Sequence, residues 1–240
     1  MLFTPVIKRK KGAGRNALVP PFPDKHAIVK GVFTGLSVEV YDTESIKAIY
    51  ENGFYGKGSK SRGAPQVVTR NVTDVAECLT LELEEAAFLA YIFGALSIQN
   101  IENNEVKWAE FLNAAQTINS QFIESFACYM YLKSKGWIIK SGIKFGGNFL
   151  IYKKGPRFHH ASFIVFVRQK TTDQYISTKD IKGLQRIAET SDKDVLILEV
   201  SKPKTLTFNA ISEISTLKIS EIIVRRFNST TFVQTQELAK

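Results

Sequence analysis

The sequence predicts an α/β protein in which a mixed C-terminal β-sheet, flanked by helices, follows a small N-terminal α/β domain. Two observations support this prediction. Strand-like apolar runs and helix-like amphipathic segments alternate in the N-terminal part of the chain, and they do so again after Gly136. With 240 residues and 44% hydrophobic composition, the chain is long enough to bury a substantial core.

Composition and pattern divide the chain into a basic tail, an N-terminal α/β domain, a connecting helix, a C-terminal domain and a second tail. Their expected bounds are residues 1–25, 26–100, 101–118, 119–230 and 231–240. The first tail contains KRKKGAGR and PPFP, which bury little apolar surface and therefore predict disorder.

Three kinds of pattern define the elements of the N-terminal half. Residues 26–40 alternate like two paired strands joined by a glycine-containing turn. Residues 42–53 predict a short helix that Asp42 or Thr43 caps. Apolar helices are expected over residues 83–96 and 105–115.

The C-terminal half begins with a helix near Asn119 that ends at Gly136. Three consecutive strands are predicted in WIIKSGIKF, NFLIYK and SFIVFVRQ, and the third is apolar on both faces, so it should be central. Residues 178–189 predict a helix. DVLILEV then predicts a buried strand and EIIVRRF an edge strand.

The charge balance narrows the choice of partners. The chain has 32 Lys and Arg residues against 23 Asp and Glu residues, a formal charge of +9, which favours a polyanion such as nucleic acid. Its two cysteines, Cys78 and Cys128, form no disulfide framework and suit a reducing compartment. No apolar stretch reaches the length of about 18 residues typical of a membrane span, so we expect a soluble intracellular protein.

Three residues are candidates for acid–base chemistry. Tyr152 ends one predicted strand and His160 precedes the next, and the turn at Gly155 and Pro156 should bring both to the same end of the sheet. Lys193 directly precedes the strand DVLILEV and can project from that end. Cleavage of an RNA phosphodiester needs a base, an acid and a cation, and these three groups supply them. The alternative is that they are an ordinary strand aromatic, a loop residue and a solvated charge.

A metal-dependent nuclease is the competing interpretation. Such sites favour Glu-x-Lys on one strand, but here Glu199 and Lys202 are three residues apart and fall on opposite faces. His159 and His160 are adjacent, so both cannot point into one zinc site. We therefore expect neither a metal nor another cofactor.

Three stretches of the sequence resemble the tRNA-splicing endonuclease family, and within it the eukaryotic catalytic subunit that cuts the 5′ splice site. They are YLKSKGWIIKSGIKFGGNFLIYKKGPRFHHASF, GFYGKGSKSR and LELEEAAFLAYIFGALSI. The resemblance implies a nuclease-like C-terminal fold and a catalytic triad of Tyr152, His160 and Lys193. It also implies that tyrosine activates the 2′-OH, histidine protonates the 5′-oxygen and lysine stabilises the transition state, giving a 2′,3′-cyclic phosphate and a 5′-OH.

The resemblance has implications for RNA binding and assembly as well. Arg186 and Phe227 would clamp an unpaired base of the intron bulge, although the family pattern has tryptophan where this chain has Phe227. The implied partners are precursor tRNA, the subunit that cuts the 3′ splice site and two structural subunits, in a nuclear heterotetramer. A non-catalytic RNA-binding or scaffold subunit is the alternative, and the presence of all three triad residues argues against it.

Overall fold

Two five-stranded β-sheets, one in each half of the chain, form the frame of the computed structural model. The structure describes residues 28–61, 63–66, 77–156, 160–170, 177–203 and 207–224. The predicted tails at residues 1–25 and 231–240 lie outside these ranges, as do His159 and Phe227. The predicted division into five segments stays a prediction.

The N-terminal sheet has the strand order β3-β4-β2-β1-β5. Its strands are β1 (Val29–Phe33), β2 (Val38–Val40), β3 (Lys57–Gly58), β4 (Leu79–Leu81) and β5 (Leu96–Gln99). β1 and β2 pair antiparallel, which confirms the paired strands predicted for residues 26–40, and β5 pairs parallel to β1. Between β2 and β3, helix α1 (Thr43–Glu51) is capped by the Asp42 carboxylate, which accepts from the Ser45 amide, as predicted.

The single helix predicted for residues 83–96 is wrong in its second half. Helix α2 (Leu83–Ala87) passes into a π-helical turn (Phe88–Ile92), and the chain then leaves the helix at Gly94, whose φ is +68°. Leu96 opens β5 instead of ending a helix. The strand LSIQ alternates buried and half-buried side chains. An alternation over only four residues cannot be distinguished in the sequence from the apolar helical run that precedes it.

Two helices connect the sheets. Helix α3 (Trp108–Ile118) begins three residues later than predicted and buries Phe111 and Leu112. Helix α4 (Phe122–Ser134) has Lys135 as its C-cap residue, and Gly136 follows with φ +83°, which confirms its predicted place after the helix.

The C-terminal sheet has the order β10-β9-β8-β7-β6, with β8 at its centre and β10 at an edge, both as predicted. Its strands are β6 (Ile138–Ser141), β7 (Phe149–Tyr152), β8 (Phe163–Gln169), β9 (Asp194–Ser201) and β10 (Lys218–Val224). Helix α5 (Thr178–Ser191) connects β8 to the parallel strand β9, confirming the helix predicted there. Short 3₁₀ turns occur at Ile143–Phe145 and Ile211–Thr216.

Helix α4 joins the two halves of the molecule. It packs against α2 on one side and against β6, β8 and β9 on the other, and most of its residues are buried. The Ser125 hydroxyl donates to the Glu84 carboxylate of α2 over 2.6 Å. Accordingly the main hydrophobic cluster includes residues of both sheets, such as Ile98 and Val165.

The other face of the C-terminal sheet carries two smaller clusters. Phe149 and Ile151 of β7 belong to the main core, whereas Leu150 packs with Ala161 and Ile164 on the opposite face. Successive residues of β7 therefore face opposite sides of the sheet, as in any regular strand. In the described ranges, no helix has the length and apolar character that a membrane crossing requires.

Replacing Gly142 by alanine should destabilise the protein and displace the 3₁₀ turn that follows it. A Cβ atom on Gly142 would lie 2.7 Å from the Phe149 backbone nitrogen and 2.8 Å from the Gly147 carbonyl oxygen. Because backbone atoms cannot move aside cheaply, we expect the free energy of unfolding in urea to fall by about 1–3 kcal/mol. Gly63→Ala is the matched control, since a Cβ there meets nothing within 4 Å. Equal stability of the two variants would contradict the prediction.

Candidate functional site

The three predicted acid–base residues lie at one end of the C-terminal sheet. β7 pairs antiparallel with β8 in the register Ile151 to Phe163, and β8 pairs parallel with β9 in the register Phe163 to Asp194. The end of β7 therefore coincides with the beginnings of β8 and β9. Tyr152 is the last residue of β7, His160 stands three residues before β8, and Lys193 directly precedes β9.

Tyr152 is half-buried and packs against both the main core and the small cluster of Leu150, Ala161 and Ile164. Burial raises the pKa of its phenol above the ordinary tyrosine value. The phenol therefore carries its proton at neutral pH in the unliganded protein. A role as a base needs a nearby positive charge to lower that pKa.

His160 is exposed to solvent at the start of the segment that leads into β8. The next residue, Ala161, is buried in the small cluster, and the Ser162 amide donates to the Ile151 carbonyl over 2.8 Å. These contacts fix the chain immediately after His160 relative to β7. His159, the other half of the pair, lies outside the described residues.

Lys193 is held by an unusual helix end and by an aromatic ring. Helix α5 ends at Asp192, which has a left-handed backbone with φ +52°, and the chain then turns directly into β9. The Lys193 ammonium donates to the Ser191 carbonyl over 2.7 Å and lies 5.1 Å from the centroid of the Phe145 ring. A cation so placed over a ring face is electrostatically attracted to it.

Phe145 was missed by sequence reasoning and connects the site residues. It packs against the same small cluster as Tyr152, and that cluster includes Ala161, the neighbour of His160. Its ring thus contacts Lys193 and packs on the same buried cluster as Tyr152. The segment GIKFGG gave no indication of this role, because the contact joins residues 48 positions apart in sequence.

The two residues predicted to clamp a base are only partly described. Arg186 is exposed on helix α5, seven residues before Lys193. Phe227 lies outside the described residues, so the clamp stays a prediction.

A cavity of about 720 Å³ opens beside Tyr152. One wall is formed by residues 56–59, 61 and 63 of the glycine-rich segment, and the other includes the 3₁₀ turn Ile143–Phe145. Lys57 and Lys144 are exposed along its rim. Sequence reasoning singled out the segment as glycine-rich and basic but did not connect it with Tyr152.

Glu77 anchors the glycine-rich segment through hydrogen bonds. Its carboxylate accepts from the backbone amides of Lys60, Ser61 and Gln66 and from the Ser61 hydroxyl. Burial opposes ionisation of this carboxyl, but the amide hydrogen bonds outweigh it and hold the pKa of Glu77 below its ordinary value. A charged acceptor with several donors is a firm local anchor.

A second buried carboxylate ties the same segment to the C-terminal sheet. Glu85 of α2 accepts from the Gly56 amide over 3.1 Å and lies 3.9 Å from the Lys140 ammonium of β6. Lys140 in turn donates to the Gly56 carbonyl. The two walls of the cavity are therefore joined through Gly56.

Glu199 and Lys202, the residues weighed as parts of a metal site, have partners elsewhere. Glu199 lies 3.4 Å from Arg168, and Lys202 lies 3.3 Å from the buried Glu124. The two residues thus belong to two separate ion pairs.

Comparisons with known proteins match both halves of the chain. A family model described as the tRNA intron endonuclease N-terminal domain matches residues 29–112. A second model, the tRNA intron endonuclease catalytic C-terminal domain, matches residues 122–208.

Individual relatives agree with the family models. A mouse protein named tRNA-splicing endonuclease subunit Sen2 is 33% identical over 173 residues, a match that covers 68% of this chain and 37% of the mouse protein. A tRNA-splicing endonuclease of Pyrobaculum islandicum is 32% identical over 174 residues, covering 72% of this chain and 92% of that protein. The chain thus spans little more than a third of the mouse relative and nearly all of the archaeal one.

A buried lysine lies behind the cavity wall. Lys133 of α4 is 4% exposed, and its ammonium lies 4.2 Å from the centroid of the Tyr55 ring. Burial lowers its pKa to about 7, although Glu85 acts in the opposite direction. Between that value and the ordinary lysine pKa, the unfolded chain binds a proton that the folded protein has released.

Lys133 should therefore make stability rise with pH over this window. Because the unfolded state binds more protons there, the free energy of unfolding increases from about pH 7 towards pH 10. In Lys133→Met this slope should be flatter by up to about 1.4 kcal/mol per pH unit, as urea titrations at pH 7 to 9.5 would measure. Lys30→Met, at an exposed position of β1, is the control and should keep the slope of the unsubstituted protein. An unchanged slope in Lys133→Met would refute the prediction.

Proposed function

This chain belongs to the tRNA-splicing endonuclease family, and from that premise we propose that it is the catalytic subunit that cleaves precursor tRNA at the 5′ splice site. The observation that carries the proposal is the meeting of three strand ends that bear Tyr152, His160 and Lys193. A non-catalytic subunit would have no need of this combination.

The reaction we propose is a metal-independent transesterification. The 2′-oxygen of the nucleotide before the cut attacks the phosphorus, and the bond from phosphorus to the 5′-oxygen breaks. Tyr152, as the phenolate, takes the proton of the 2′-OH, and His160, as the protonated imidazole, gives a proton to the departing 5′-oxygen. The Lys193 ammonium stabilises the negative charge that develops on the phosphoryl oxygens. The products are a 2′,3′-cyclic phosphate and a 5′-OH.

The raised pKa of the Tyr152 phenol opposes its use as a base, and the Lys193 ammonium can counter this effect. A phenol is already protonated at neutral pH at its ordinary pKa, and burial raises the pKa of Tyr152 further, whereas a cation nearby favours the phenolate. Phe145 contacts the Lys193 ammonium and packs in the same cluster as Tyr152. Phe145 therefore links the proposed cation to the cluster against which the proposed base also packs.

The proposal extends to partners and location. We infer that the chain acts in a nuclear heterotetramer with the subunit that cuts the 3′ splice site and two structural subunits. Precursor tRNA would be recognised mainly by shape and backbone. Arg186 and Phe227 would clamp a bulge base for the neighbouring active site. The excess of Lys and Arg over Asp and Glu gives a net charge of +9, which favours binding of a polyanionic substrate.

Replacing His160 by alanine should abolish 5′-site cutting and spare 3′-site cutting. We expect single-turnover cleavage by the complex co-purified with the tagged chain to slow by about 10²- to 10⁴-fold at the 5′ site, because the leaving oxygen loses its acid. A substrate with sulfur in place of the 5′-oxygen at the cut should restore the rate, since a thiolate departs without a proton. The same substrate should not rescue Tyr152→Phe, which lacks the base.

The adjacent histidine provides the matched control for this experiment. His159→Ala should cut both splice sites at the rate of the unsubstituted complex. A larger defect in His159→Ala than in His160→Ala would show that the acid is assigned to the wrong member of the pair. If the sulfur substrate failed to rescue His160→Ala, His160 would not be the general acid.

Cleavage should persist in excess EDTA. The proposed steps use only side-chain groups, so chelation should leave the rate at the 5′ site within about two-fold when high monovalent salt keeps the precursor folded. The cyclic phosphate on the 5′ exon identifies the reaction in the same assay. Loss of cutting that returns on addition of Mg²⁺ would favour the metal-dependent alternative instead.

A further inference from the structure

The mouth of the cavity beside Tyr152 carries an exposed apolar side chain, Ile143, to which the proposed chemistry gives no role. Ile143 lines the cavity and is 82% exposed, and Phe145, the last residue of the same 3₁₀ turn, also lines it. The fold itself buries little of the Ile143 side chain. Ile143 is therefore available for apolar contact with a bound ligand.

We propose that this cavity binds the base of the nucleotide immediately 5′ of the scissile phosphate, with Ile143 and Phe145 as its contact surface. The inference rests on the proposed function, because it uses the role of Tyr152. Tyr152 lines the cavity, and the 2′-OH it would activate belongs to the ribose of that nucleotide. Among the described residues that line the cavity, His160, which would serve the 3′ side of the cut, does not occur.

The size and chemistry of the cavity fit a nucleotide. Its volume of about 720 Å³ exceeds that of a single base and lies within the range of about 300–1,000 Å³ typical of small-molecule sites. Ile143 and the Phe145 ring offer apolar contact to a base face. Lys57 and Lys144 on the rim are placed to pair with neighbouring phosphates, and the hydroxyls of Ser59 and Ser61 add hydrogen-bonding groups.

The cavity is preformed and does not depend on a flexible wall. The Glu77 carboxylate holds the amides of Lys60, Ser61 and Gln66, and Glu85 with Lys140 holds Gly56. A site that is already shaped binds its ligand with less loss of conformational entropy. The N-terminal half of the chain would therefore take part directly in holding the substrate.

The test pairs a protein variant with an altered substrate. The complex co-purified with the tagged chain is given precursor tRNA that carries an abasic ribose, with its 2′-OH, immediately 5′ of the cut. Stacking of one base is worth about 1–3 kcal/mol, so we expect single-turnover cleavage to slow by about 5- to 150-fold. Ile143→Asn should slow cleavage of the intact substrate and have no further effect on the abasic one.

The chain offers a closely matched control. Ile101 is 83% exposed at a turn of the N-terminal half and is not among the residues that line the cavity. Ile101→Asn should therefore leave the rates on both substrates unchanged. An equal effect of Ile143→Asn on the intact and abasic substrates would overturn the proposal and indicate that Ile143 contacts a partner subunit instead.

Further outcomes separate this inference from the proposed function. If the unsubstituted complex cleaved the intact and abasic substrates at equal rates, the cavity would not bind this base and the inference would be overturned. A coupling of Ile143 to an abasic position on the 3′ side of the cut would overturn the assignment of the nucleotide. If Tyr152→Phe and His160→Ala retained full 5′-site cutting, the proposed function itself would fail, whatever the abasic substrate did.

Discussion

The pairing of β8 with its two neighbours is the constraint on which the site depends. β8 runs antiparallel to β7 and parallel to β9, so one end of the sheet collects a strand end and two strand beginnings. A slip of one residue in either ladder would turn Tyr152 or Lys193 to the opposite face. The register is held by packing on both faces, with Ile151 in the main core and Leu150 in the small cluster.

Strand pairing positions the proposed triad, and buried charges fix the shape of the neighbouring cavity. Glu77, which precedes β4, and Glu85 of α2 both accept hydrogen bonds from backbone amides of the glycine-rich segment. A segment with so many glycines has high conformational entropy when free, so such anchors are needed to give it one shape. Lys140 extends the anchoring to the C-terminal sheet.

Local patterns in the sequence predicted most of the fold and the end of the sheet at which Tyr152, His160 and Lys193 lie. The strands β7, β8 and β9, the helix α5 and the cap at Asp42 all follow from short-range alternation, periodicity and capping. The prediction failed where non-local pairing decided the outcome, as at Leu96, which joins a parallel strand 67 residues away in sequence. Phe145 was missed for the same reason, since only the folded chain brings its ring to Lys193.

The joining of both halves through α4 bears on how the proposed enzyme is built. One cluster of buried residues spans the two sheets, and the Ser125 to Glu84 hydrogen bond fixes α4 against α2. α2 also carries Glu85, which holds Gly56 at the cavity wall. A change in the packing of α4 would therefore move the proposed substrate wall relative to Tyr152. On this view the N-terminal half serves the chemistry of the C-terminal half by fixing the shape of the cavity next to the proposed base.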